Sequence, residues 1–213
     1  MTSLRLCVIG DSITAGTGDP DMLGWPGRLA AAEVARGHDV TLYNLGIRAD
    51  TSRLVDARWQ TECRVRLPDE FAGGLLFAFG INDTARELDG SLRVPPDESV
   101  ILARRIIGTA KAWKPTLWLG PMPIEEARMP ISIPGSPPRD FQNARIAALS
   151  ARYTALARDL EVPYLDLFTD LAADRTWPAL LAGSDGIHPT AAGYAHIAAL
   201  IGRWTAWRDW FRA

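Results

Sequence analysis

Short apolar runs alternate with longer stretches of helical spacing along this chain. The segments 4–9 (LRLCVI), 39–45 (DVTLYNL), 74–79 (GLLFAF), 115–120 (PTLWLG) and 162–167 (VPYLDL) read as five strands. Their near-continuous apolar character predicts a parallel sheet covered on both faces. Between them, 24–37, 51–64, 97–112 and 139–160 carry helical periodicity, and 190–208 reads as a closing helix. Alternation of β and α elements implies right-handed crossovers and a three-layer α/β sandwich, with residues 1–213 forming a single domain. One stretch resists this pattern. Residues 121–140 (PMPIEEARMPISIPGSPPRD) hold six prolines, which exclude helix and central strand. A loop of that length in a compact domain is either a surface excursion or a wall of a substrate pocket.

In an open parallel sheet, ligands bind beyond the carboxyl ends of the strands. That rule brings three polar clusters to one edge: Gly10-Asp11-Ser12, Asn44-Leu45-Gly46 and Gly80-Ile81-Asn82-Asp83. Ser12 is then either a nucleophile or a serine that starts the next helix, and the two roles are compatible. A serine nucleophile needs a base, a group to orient the base, and donors for an oxyanion. Three histidines compete for the role of base. His38 falls in a helix–strand turn and His196 inside the last helix, whereas His188 sits in a loop before that helix, with Pro189 at its start. Asp185, three residues earlier, can reach back to Nδ1 of His188 and leave Nε2 facing outward. Candidate oxyanion donors are the Ser12 and Gly46 backbone N–H groups and the neutral side-chain amide of Asn82. Asp11 and Asp83 read as loop-bracing carboxylates. Arg48 is an exposed loop arginine or a contact for an anionic or polar substrate group.

Composition narrows the class. A formal net charge of −2 with mixed signs gives no basic nucleic-acid footprint. Cys7 and Cys63 cannot build a disulfide framework, and Cys7 reads as a small core residue. No Cys-His cluster has zinc-ligand spacing. The N-terminal residues lack a signal-peptide pattern and no run has membrane-spanning length, so a cytoplasmic location is expected. Trp204, Trp207 and Trp210 recur every third residue, a helical stripe that packs inward or, if exposed, serves self-association into a homo-oligomer.

Taken together, the blocks IGDSITAG, NLGIRADTS, FGINDTA and DGIHPTAAGY resemble, in order, those of the GDSL or SGNH hydrolases, a group of serine esterases and lipases. They run from residue 9 to residue 194. The resemblance implies a flavodoxin-like fold and a metal-free hydrolase with Ser12 as nucleophile, Asp185 and His188 completing the triad, and Gly46 and Asn82 in the oxyanion hole. Many members place a further glycine three residues after the oxyanion glycine, where this chain has Ala49. The expected partner is a small-molecule ester, of a short-chain or aryl acid or an acetylated sugar, with 121–140 and the loop from Asp19 to Trp25 as pocket walls. An acyltransferase and a non-catalytic small-ligand module on the same fold are the alternatives.

Overall fold

Strand β1 (Ser3–Gly10) lies inside the sheet and sends alternate side chains to opposite faces. Leu4, Leu6 and Val8 enter one apolar cluster, whereas Cys7 and Ile9 enter the other. The same division recurs in β3 (Gly73–Ala78) and β4 (Thr116–Leu119): Leu76, Leu117 and Leu119 face one way, and Phe77 and Trp118 the other. This two-sided burial explains the continuous apolar runs. A computed structural model describes residues 1–132 and 137–212; the expected 121–140 loop falls partly outside those described.

With β2 (Asp39–Gly46) and β5 (Tyr164–Leu165), the sheet has five parallel strands in the order β2-β1-β3-β4-β5. That is the flavodoxin-like order, whose direction of winding reverses between β1 and β3. The connecting helices are α1 (Ser12–Ala15), α2 (Gly24–Ala35), α3 (Ser52–Arg64), α4 (Pro96–Lys111) and α5 (Asn143–Asp159). After β5 follow α6 (Leu167–Ala173), α7 (Trp177–Leu181), α8 (Ala191–Arg203) and α9 (Thr205–Asp209). Helices α2 and α8 cover one face through Trp25, Leu29, Ile197 and Ile201. Helices α3, α4 and α5 cover the other through Trp59, Ile106 and Tyr153.

Three boundaries depart from the sequence pattern. The expected strand 162–167 shrinks to two residues because Asp166 caps α6, accepting from Thr169 N–H. The expected helix 139–160 begins only at Asn143. Arg139 instead pairs with Ile131 in an antiparallel bridge, and Asp140 with Arg86. The closing helix 190–208 breaks at Trp204, whose extended backbone separates α8 from α9. The break turns Trp207 fully into the core, with Trp204 and Trp210 packed partly buried against it, so the stripe faces inward.

Candidate active site

The site is built where β1 stops. Gly10 lets the end of β1 lie close against α1 and β3, because a Cβ there would collide with Thr14 and the Ala78 carbonyl. Asp11 then caps α1 by accepting the Ile13 N–H at 3.0 Å, and Ser12 becomes the first helical residue. Ser12 therefore both opens a helix and presents its hydroxyl at the carboxyl edge of the sheet. Burial pushes the Asp11 carboxyl up to about 7, against the opposing pull of the Ile13 N–H. Its contact is with the loop backbone, the bracing expected of it.

His188 arrives from the far end of the chain. Its Nε2 lies 2.8 Å from Ser12 Oγ and its Nδ1 2.6 Å from Asp185 Oδ2. The other Asp185 oxygen accepts the N–H groups of Ile187, at 3.0 Å, and His188, at 2.9 Å. Burial alone would raise the Asp185 carboxyl, but the His188 imidazole and these backbone donors outweigh it and hold it down at about 2. With a carboxylate fixed on Nδ1, that nitrogen carries the proton and Nε2 is left as the acceptor facing Ser12. Thr190 caps the following helix by accepting the Gly193 N–H, and Tyr194 donates to the Thr17 carbonyl at 2.7 Å. These contacts fasten the histidine turn to the segment that follows the serine.

Asn82 enters from the end of β3 on a short 3₁₀ turn, Ile81–Thr84, launched by Gly80 at a φ of 114°. Its side-chain Nδ2 is buried and, among the described residues, has no hydrogen-bond partner. Buried amides are normally satisfied, so an orphan donor on a residue that lines a cavity is free to bond whatever enters it. Beside it, Asp83 is fully buried and accepts the Ser52 N–H at 2.8 Å, tying the turn to the start of α3. Burial raises the Asp83 carboxyl against the pull of Ser52.

Gly46 does not join this group. Its N–H donates to Asn44 Oδ1 at 3.0 Å, and a Cβ at this position would strike the backbone of Asp11 and Ala15. The glycine is needed for close approach of β2 to the serine turn, not for a free donor. The residue that lines the cavity beside Ser12, Asn82 and His188 is Ala49, held at a φ of 65°. Its N–H has no acceptor among the described residues, and its carbonyl accepts from Arg93 at 2.9 Å. Sequence reasoning had a signal for this position, the glycine that related chains carry there, but not for the engaged amide of Gly46. The Ala49 turn is also anchored from below. Arg58 bonds Asp50 at 2.7 Å and the Gly10 carbonyl at 3.0 Å, linking this turn to the serine turn through one guanidinium.

The cavity at Ser12 measures about 110 Å³, with Ile131, Phe141 and Ile187 as apolar walls and Arg48 and Arg139 as polar ones. The segment 19–25 lines none of it among the described residues. Asp19 instead closes that loop on itself, accepting from Leu23 and Gly24 N–H and pairing with Arg28. The remaining histidines stay outside: His38 packs on Phe211, and His196 Nε2 lies 2.8 Å from the Asp174 carboxylate. Among the described residues, no helix is long and apolar enough to cross a membrane.

Among solved structures, the lipase/acylhydrolase from Enterococcus faecalis is similar over 98% of this chain and 97% of that one, with 23% identity and a TM-score of 0.76. LAE5, an alpha/beta hydrolase enzyme from the metagenome of Lake Arreo, Spain, is 26% identical over 100% of this chain and 99% of its own, with a TM-score of 0.70. An acetyl xylan esterase, AlAXEase, is 18% identical over 95% and 98% of the two chains, with a TM-score of 0.71. Among curated proteins nothing matches. The model of the GDSL-like Lipase/Acylhydrolase family matches residues 8–196, and with most of its length so covered the chain belongs to that family.

Proposed function

We propose that the chain hydrolyses small carboxylic esters, with short acyl or aryl groups or as acetylated sugars, through an acyl-enzyme on Ser12. Membership of the acylhydrolase family makes ester hydrolysis the general reaction; the roles and the size of the substrate are read from the site. The observation that carries the reading is the unbroken chain Asp185–His188–Ser12 beside a buried Asn82 Nδ2 that has no partner among the described residues.

In this mechanism His188 Nε2 takes the Ser12 proton as Oγ attacks the acyl carbon, and it then protonates the departing alcohol. The negative oxygen of the tetrahedral intermediate is held by Asn82 Nδ2 and the N–H groups of Ser12 and Ala49, with Ala49 taking the role first expected of Gly46. These donors need no reorganisation, because none has a partner among the described residues. Asp185 stabilises the imidazolium through Nδ1, and its depressed pKa keeps it charged throughout. A water activated by His188 then attacks the acyl carbon, the Ser12–acyl bond breaks, and the acid leaves. The small volume bordered by Ile131, Phe141 and Ile187 among the described residues supports short acyl groups over long lipid chains.

A panel of p-nitrophenyl esters of increasing acyl length tests this reading. Turnover should fall steeply beyond short chains and vanish in Ser12→Ala. A Ser12→Ala chain that still turned over the acetate would remove the assignment.

A further inference from the structure

The guanidinium of Arg139 is the least explained charge near the site. Its side chain is only 13% exposed, its Nε is buried without a hydrogen-bond partner among the described residues, and it lines the same cavity as Ser12. Its nearest carboxylate oxygen among the described residues is Glu87 Oε1, at 3.9 Å, outside hydrogen-bond reach. That oxygen is already shared with Arg93, whose Nε is closer at 3.2 Å. The other acidic groups nearby are committed elsewhere: Asp140 to Arg145 at 2.8 Å, Asp50 to Arg58, and Asp83 to the Ser52 N–H. One carboxylate therefore serves two largely buried guanidinium groups, and of these Arg139 lines the cavity together with a second cation, Arg48. A buried cation without its own counter-charge is costly unless a ligand supplies one.

Building on the esterase reading, we propose that the preferred substrate is an ester carrying a carboxylate, on its acyl or its alcohol part, which docks on Arg139 with Arg48 at the rim. The planar fork of a guanidinium matches a carboxylate in two parallel hydrogen bonds, which fixes orientation as well as charge. The site would thus hold the anion in the same cavity as the Ser12 hydroxyl, and neutral esters of equal shape would leave Arg139 unpaired. The antiparallel bridge between Ile131 and Arg139 uses only backbone groups, so the side chain can be changed without removing it.

Two matched pairs of esters test the proposal. On the acyl side, 4-nitrophenyl hemisuccinate is compared with 4-nitrophenyl 4-methylpentanoate; on the alcohol side, 4-acetoxybenzoate is compared with 4-acetoxybenzamide. The anionic member of at least one pair should have the higher kcat/KM by roughly ten- to a hundredfold, the range of a charge-assisted hydrogen bond. Arg139→Gln should collapse that ratio, and Arg139→Lys should restore part of it. Preference for the neutral member in both pairs, or a ratio unchanged in Arg139→Gln, would overturn the proposal while leaving Ser12-dependent esterase activity intact. Binding separates the two readings from the other side. Monomethyl succinate should bind Ser12→Ala more tightly than dimethyl succinate by calorimetry, and Arg139→Gln in that background should abolish the difference. Equal binding of the two would count against the anion site whether or not the chain turns over esters.

Discussion

Two regions of this molecule concentrate buried polar groups, and they differ in what those groups find. At the carboxyl edge of the sheet, Asn82 Nδ2 and Arg139 Nε are buried without partners among the described residues. Against α2, at the other cluster, Glu33 is fully buried and accepts from Trp207 Nε1 at 2.9 Å and from Arg208 Nη2 at 2.9 Å. Burial tends to raise the Glu33 carboxyl, but Arg208 and Trp207 prevail and lower it. The second cluster closes on itself and fastens α9 to α2; the first stays open toward a cavity. An unpartnered donor that lines a cavity is available to a ligand, whereas the closed Glu33 cluster is a joint of the fold.

The comparison can be broken by substitution on each side. Asp185→Asn should lower kcat by about 10³–10⁴-fold, because a neutral amide no longer fixes the Nδ1–H tautomer of His188; thermal melting would show the fold retained. Asn82→Ala should lower kcat by about 10²–10³-fold, the cost of one oxyanion donor, with KM little changed. Glu33→Ala should behave in the opposite way. Removing the shared acceptor strands Trp207 and Arg208, so denaturant titration should show a loss of about 3 kcal/mol while kcat on the surviving folded chain is kept. An activity loss in Glu33→Ala without a stability loss would erase the distinction between the regions.

A further effect concerns pH. Asp11 has a folded pKa of about 7 against an ordinary 3.8, so the folded chain holds a proton that the unfolded chain releases between those values. Its contribution to stability is present below pH 3.8 and is lost as pH rises through about 7. Asp11→Asn keeps an acceptor for the Ile13 N–H and removes the titration. The difference in unfolding free energy between variant and parent should therefore move in the variant's favour across that window. A pH-independent difference would show that Asp11 is charged in the folded chain.

Much of this was legible in the chain itself, for identifiable reasons. Four of the five strands kept their cores because apolar runs of that length have few other uses. Ser12, Asn82 and the Asp185/His188 pair could be singled out because a strand end or a helix start fixes where such residues sit. Gly46 could not be judged that way, since a free amide and one bonded to Asn44 look identical in sequence. Arg139 fell where the expected pocket wall 121–140 overlaps the expected helix 139–160, and only the bridge to Ile131 decides between them by taking it out of the helix and to the cavity. The tryptophan stripe kept its inward direction but not its single helix, because the break at Trp204 leaves no mark in the periodicity.

The central claim is that Ser12 is an activated nucleophile held by His188. Intact-protein and peptide mass spectrometry after treatment with a fluorophosphonate tests it most directly. The account predicts one phosphonyl adduct, located on Ser12, absent in Ser12→Ala and strongly slowed in His188→Ala. An adduct on another residue, or labelling that persists in Ser12→Ala, would contradict it.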